Sequence, residues 1–182
     1  MEPGDLQDIQ ATLAGQRDAY ARLIRRHQNA IAARMWHFTR DKSQLEELVH
    51  DVFVEAYVSL KGYRGTAPFV HWLNRIATRV GYRHWKDQDR KRQTMALEDW
   101  DAPKDDQADP AAADEAAELV HRVLGQLPPR DRLVLTLMYL EELPVSEVAQ
   151  RTGWSQTMVK VQAHRARGKL RAVLDKMGIE NL

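Results

Sequence analysis

Three groups of residues in this chain have the types and spacing to do chemistry. Thr157, Lys160, His164, Arg167 and Arg171 recur at intervals of three and four, which on a helix aligns a hydroxyl and four basic side chains along one face suited to phosphates and base edges. Arg75, Arg79, Tyr82, Arg83, Trp85 and Lys86, followed by Arg90, Lys91 and Arg92, interleave cations with aromatic rings. Cations track a nucleic-acid backbone, and rings stack on bases that have left the duplex, each contact worth about 1–3 kcal/mol. Just ahead of them Tyr63 and Arg64 stand between Gly62 and Gly65, a loop expected to be mobile enough to close on an unstacked base. The plainer reading of both groups is a solvated basic surface with Trp72 and Trp85 in the core. The third group, Glu47, Asp51 and Glu55, places carboxylates four residues apart, where they repel one another. Metal ligation in a nuclease, docking to a basic partner and ordinary hydrated surface all remain open for it. A metal site would want a histidine or a second carboxylate helix at matching depth.

The elements that must carry these residues are helical. Ala149, Gly153 and Val159 stand four and six residues apart, as in a helix-turn-helix. A small residue sits under the crossing helix, a glycine takes the left-handed turn and a branched residue closes the core. Ser155 is placed to cap the second helix. Val159, Ala163, Ala166, Leu170 and Val173 form an apolar stripe opposite the basic one. Three further patterns fill the first half. One runs from about Gln16 to Arg40 on Tyr20, Leu23, Ile24, His27, Ile31, Met35 and Phe38. A second runs from Ser43 to Leu60 on Leu45, Leu48, Val49, Val52, Phe53, Ala56, Tyr57 and Leu60. A third starts near Pro68 and buries Phe69, Leu73, Ile76, Ala77 and Val80. Helices are also expected near Asp114–Gln126, Arg130–Leu140, Val145–Thr152 and Gln156–Asp175, with a stop at Leu127-Pro128-Pro129. No stretch alternates with period two for long enough to suggest a strand.

Composition bounds the function. The chain has 182 residues, 43% hydrophobic and 29% charged, as expected of a soluble globular protein. There is no cysteine, which excludes disulfides, thiolate metal clusters and a cysteine nucleophile. The seven histidines are scattered without a paired-ligand spacing, so no metal or other cofactor is expected. No apolar run approaches the roughly 18 residues that cross a bilayer, and the first ten residues, MEPGDLQDIQ, are acidic and polar. A cytoplasmic location without membrane insertion is the expectation. The net charge of +1 conceals segregation: residues 1–94 hold 16 basic against 11 acidic side chains, 95–118 hold one against nine, and 119–182 hold ten against six. From Met95 to Ala113 periodicity fails and two prolines enter, the composition of a segment with no core to bury. The predicted architecture is therefore all-α, with two small helical domains at 1–94 and 114–182 joined by a flexible acidic linker at 95–113, the second a four-helix domain with the helix-turn-helix. Basic bodies of four or five net charges bind DNA weakly and with strong salt dependence, which points to help from a larger partner.

Taken together, AYARLIRRH (Ala19 to His27), LEELVHDVFVEAY (Leu45 to Tyr57), GYRGTAPFVHWLNRIA (Gly62 to Ala77), LPPRDRLVLTLMYLEEL (Leu127 to Leu143) and VAQRTGWSQTMVKVQAHRARGKLR (Val148 to Arg171) resemble a bacterial RNA polymerase sigma factor of the small extracytoplasmic-function type. The resemblance implies a non-enzymatic, dissociable subunit that binds core RNA polymerase and promoter DNA and is commonly held by an anti-sigma factor. It implies polymerase docking through Glu47, His50, Asp51 and Glu55, and opening and reading of the minus-ten element by Tyr63, Arg64, Arg75, Arg79, Tyr82, Arg83 and Lys86. Contact with the minus-thirty-five element would fall to Ser155, Gln156, Thr157, Lys160, His164, Arg165, Arg167 and Arg171, while the linker threads the polymerase. Three positions depart from the usual pattern: His50-Asp51 replaces Gln-Glu, Arg79 stands where asparagine is frequent, and Gln162 stands where arginine is frequent. The rival reading is a helix-turn-helix regulator that dimerises on a palindromic site without polymerase.

Overall fold

The computed structural model describes residues 4–97 and 112–179. Among these, the secondary structure is entirely helical, and no helix is long and apolar enough to cross a membrane. The linker expected at 95–113 falls, over residues 98–111, outside the described residues. Its ends are helical: the third expected helix continues through Met95 to Leu97, and the next begins at Ala112. The chain divides into two compact units, Met1–Gly81 and Tyr82–Leu182.

The first unit holds α1 (Asp5–Leu13), α2 (Arg17–Met35), α3 (Lys42–Ser59), a 3-10 turn (Leu60–Gly62) and the first part of α4 (Phe69–Leu97). Leu23, Ile31, Met35, Phe38, Val52, Leu60, Phe69, Leu73, Ile76 and Val80 are at most 1% exposed. The three apolar stripes expected from the sequence thus meet in one core. Gly81 is required by that core, because a Cβ there would fall 2.3 Å from the Phe38 ring. Asp41 caps α3, accepting from the Gln44 amide at 2.8 Å. One expectation fails: Tyr57, assigned to the core stripe, is 55% exposed. Its ring leans edge-on against Tyr20, whose hydroxyl donates to the Phe53 carbonyl and so closes the α2–α3 contact without it.

Helix α1 has no counterpart in the expected elements. Ile9 is buried beneath it at 3% exposure, and charge adds to that attachment. Asp5 and Asp8 are 2% and 4% exposed. Arg26 reaches both, at 2.6 Å and 2.8 Å, Arg22 binds Asp8 at 2.7 Å, and His27 Nε2 lies 3.0 Å from Asp5 Oδ1. Burial pushes the Asp8 carboxyl up, but hydrogen bonds from Arg26 and Arg22 and their positive charges outweigh it and hold Asp8 below its ordinary value.

The second unit holds the rest of α4, α5 (Ala112–Gly125), α6 (Pro129–Leu135), a π-helical turn (Thr136–Leu140) that interrupts the single helix expected to Leu140, α7 (Val145–Thr152) and α8 (Gln156–Lys176). Helix α8 packs on α5, α6 and α7. Leu133, Val134, Leu135, Leu137, Val148, Val159, Ala163 and Ala166 are buried between them. Trp85 is 2% exposed beneath the Arg132 guanidinium, 4.0 Å from the ring centroid. Burial and the nearby Arg92 charge push Arg132 down to about 9, which leaves it protonated at neutral pH.

The Asp8 network yields a stability prediction. Its folded-state carboxyl titrates below the unfolded one, so the stabilisation is present above about pH 4 and is lost as pH falls through the folded value. Asp8→Asn is expected to cost about 2 kcal/mol near neutrality, a discounted figure because Arg22 and Arg26 are partly exposed. Urea unfolding followed by circular dichroism between pH 3 and 7 checks this: the difference between variant and parent shrinks toward the acid end.

Candidate functional site

Helix α8 begins where the chain dictates. Gly153 adopts φ +76° at the end of α7, and its amide donates to the Ala149 carbonyl at 2.9 Å, closing the helix in the left-handed cap that glycine favours. Ser155 then takes extended backbone, and its hydroxyl accepts from the Met158 amide at 3.2 Å. From that start the face assignment follows. Val159, Ala163 and Ala166 are buried, while Leu170 and Val173 are half-buried. Ser155, Gln156, Thr157, Lys160, His164, Arg165, Arg167 and Arg171 are all exposed. Ala149 is only half-buried, and its neighbour Val148 takes the sealed position at 0% exposure.

What fixes α8 to the rest of its unit is a residue with no local sequence signal. Asp131, 2% exposed in the first turn of α6, accepts from Gln162 Nε2 at 2.5 Å and Lys169 Nζ at 2.6 Å. Its partners lie 31 and 38 residues away. Gln162, one of the departures from the family pattern, thus faces inward. Arg151 does similar work for α7. Its buried guanidinium pairs with Glu141 at 2.9 Å and Glu147 at 2.5 Å, tying the helix to the connection that precedes it. On the outer face Tyr139 accepts from Arg167 at 2.9 Å, which pre-orients that guanidinium. Val161, 46% exposed among these polar side chains, is an apolar member of the outer face that the sequence reading passed over.

The second group occupies α4 and the loop before it. Arg75, Arg79, Arg83 and Lys86 are exposed, Tyr82 is half-buried with Lys86 Nζ 5.9 Å from its ring centroid, and Trp85 belongs to the core. The loop carries contacts of its own. Arg64 is exposed, but the Tyr63 hydroxyl donates to the Ala67 carbonyl at 2.6 Å, and its ring lies 5.5 Å from both Phe69 and Trp72. Gly65 at φ +70° makes the reversal possible. Burial and the Asp5 charge raise the Tyr63 hydroxyl above its ordinary value, so it stays a neutral donor.

The carboxylate group lies on α3. Glu47, His50 and Asp51 are exposed and Glu55 is half-buried. Val54 and Val58, 46% and 77% exposed, lie on the same turns, giving an acidic face with an apolar strip. Glu55 pairs with Arg79 at 3.1 Å, so this departure from the family pattern joins the carboxylate helix to the arginine-bearing one. Among the described residues, no three His, Asp or Glu side chains gather as a metal ion would require.

Comparison with known proteins places this geometry. The family model described as Sigma-70 region 2 matches residues 23–91, and that described as Sigma-70, region 4 matches residues 117–170. The ECF RNA polymerase sigma factor SigF of Caulobacter vibrioides is 31% identical over 134 residues, 73% of this chain and 70% of that one. The RNA polymerase sigma-H factor of Pseudomonas aeruginosa is 27% identical over 80% of each chain. Among solved structures, CnrH in complex with the cytosolic domain of CnrY is 26% identical with a TM-score of 0.62, covering 96% of this chain and 99% of that one. The sigma factor RpoE of Bartonella quintana, solved with the anti-sigma factor NepR, shares the fold at 16% identity and a TM-score of 0.55, over 86% and 96% of the two chains.

Asp131→Ala is expected to release both α8 partners and lower the stability of the second unit by about 2 kcal/mol, since a doubly bonded buried acceptor is lost. Thermal unfolding checks it; an unchanged midpoint would show that apolar packing alone holds α8.

Proposed function

Because the chain belongs to the ECF family of RNA polymerase sigma factors, we propose that its three groups of polar and aromatic side chains divide the work of promoter selection among themselves. The protein binds core RNA polymerase and directs promoter recognition and transcription initiation. The finer assignment is as follows. Glu47, His50, Asp51 and Glu55, with the apolar strip of Val54 and Val58, dock on a basic surface of the core enzyme. Helix α8 enters the major groove of the minus-thirty-five element through Ser155, Gln156, Thr157, Lys160, His164, Arg165, Arg167 and Arg171. Tyr63, Arg64, Arg75, Arg79, Tyr82, Arg83 and Lys86 hold the opened minus-ten strand. Residues 1–94 and 114–182 act as the two working domains, with 95–113 as the tether.

The observation that carries this reading is the two-faced α8, capped by Ser155, sealed by Val159, Ala163 and Ala166 on one side, and basic and exposed on the other. Such a helix supplies phosphate contacts for register and base-edge contacts for choice. Val161 adds an exposed branched side chain at the height of Lys160 and His164, suited to the thymine methyl group. Opening needs no catalysis by this chain. Preferential binding of the melted strand shifts the equilibrium, with an unstacking cost of a few kcal/mol per base offset by stacking and phosphate contacts. The site of action is the cytoplasm, where polymerase and chromosome meet. Control by an anti-sigma factor fits an exposed face that mixes carboxylates with Val54 and Val58, since masking it would deny the core enzyme its docking surface.

Footprinting with and without core polymerase tests the reading: protection that requires polymerase supports it, and protection by the chain alone on a palindrome supports a free-standing regulator. Arg167→Ala is expected to weaken upstream-element binding and to lower the salt slope by about one ion while polymerase affinity is unchanged. Asp51→Lys is expected to weaken core-polymerase binding by about tenfold, read by fluorescence anisotropy, through like-charge juxtaposition at a basic surface. An unaltered affinity would remove α3 from the docking face.

A further inference from the structure

Helix α1 lies outside both matched family segments and outside the expected elements, yet it spends two buried carboxylates on its attachment. Its neighbours show where that attachment is directed. It packs on α2 and on the 3-10 turn Leu60–Gly62 that leads into the Tyr63 loop. At Gly65, in the middle of that loop, an added Cβ would sit 3.8 Å from Leu6 Cδ2, so the Leu6 side chain lies beside the turn. Asp5 continues the connection from below. Its Oδ1 accepts from Arg26 at 2.6 Å and lies 3.0 Å from His27 Nε2, and the His27 ring lies 5.5 Å from Phe69. Phe69 in turn lies 5.5 Å from Tyr63. Burial and, after it, the Asp5 charge raise the Tyr63 hydroxyl above its ordinary value.

We infer that α1 is a positioning element for the loop from Tyr63 to Ala67, with Leu6 bracing its outer turn and Asp5 fixing, through His27 and Phe69, the aromatic platform beneath Tyr63. The inference rests on the proposed role of that loop in holding the opened minus-ten strand. A short loop with a left-handed glycine at its centre has several accessible backbones. Support from one side restricts them before the strand arrives, and less ordering remains to be done on binding. Asp5 and Leu6 touch no DNA in this account; they act through Tyr63 and Arg64.

The test uses holoenzyme assembled from core polymerase and the full chain, with a fluorescent single-stranded oligonucleotide carrying the non-template minus-ten sequence of a promoter mapped for this protein. Leu6 is 39% exposed, so Leu6→Ala is expected to leave thermal unfolding and core-polymerase affinity unchanged. It is expected to weaken oligonucleotide binding by about fivefold, the factor of one weakened stacking contact, with Leu6→Met restoring it. Asp5→Asn is expected to weaken the same binding, again without altering core-polymerase affinity. Parent-like oligonucleotide binding by Leu6→Ala and Asp5→Asn, while Tyr63→Ala binds weakly, overturns the role of α1 alone. Parent-like binding by Tyr63→Ala overturns the reading of the loop, and the role of α1 with it. A loss in Leu6→Ala that Leu6→Met does not reverse overturns the bracing contact.

Discussion

An ionised carboxylate taken out of water must be paired, and both units of this protein use that requirement to fix a helix in place. In the first unit Asp5 and Asp8 are sealed against Arg22, Arg26 and His27, and α1 is held on α2. In the second, Asp131 is sealed against Gln162 and Lys169, and α8 is held on α6. The directional bonds decide orientation as well as adhesion. In α8 two side chains converging on one carboxylate add directional bonds to the apolar seam of Val159, Ala163 and Ala166. The consequence for α8 is that Thr157, Lys160, His164, Arg167 and Arg171 face outward in a fixed register.

Exposed charge then has a different task from buried charge. The cations of α4 and α8 and, Glu55 apart, the carboxylates of α3 stand in solvent, where any single contact is weak and screened by salt. They gain value only in numbers and against an oppositely charged surface. This matches a subunit that must associate with and leave a large enzyme. The Glu55–Arg79 pair bridges the two surfaces, although the apolar core rather than this partly exposed pair holds the two helices together.

Much of this was legible in the chain. Periodicity located α2, α3, α4 and α8, and the Gly153–Ser155 turn was readable because its chemistry is local: one glycine for a positive φ, one hydroxyl for an orphan amide. The core residues of α4 followed from spacing alone. What escaped the sequence is what depends on distant partners. Helix α1 is short, its apolar stripe is only Leu6, Ile9 and Leu13, and its buried carboxylates mean nothing until Arg22, Arg26 and His27 are brought to them. Asp131 resembles any acidic residue at a helix start until Gln162 and Lys169, more than thirty residues on, are brought to it. Tyr57 fits an apolar period and yet is 55% exposed, because it packs only the edge of its ring on Tyr20 at the rim of the α2–α3 contact. The packing of the Tyr63 ring on Phe69 and Trp72 is not something glycine content could foretell. The roles of individual exposed residues are set by surfaces the chain does not contain.

The central claim is that this polypeptide gives a multi-subunit polymerase its choice of start point. In vitro transcription with purified core polymerase on fragmented genomic template, with 5′ ends mapped, tests that claim most directly. The account predicts discrete start sites, absent with core enzyme alone, that share one upstream and one downstream element at constant spacing. Failure of the protein to associate with core polymerase, or association that yields no start site beyond those of the core enzyme alone, would contradict it.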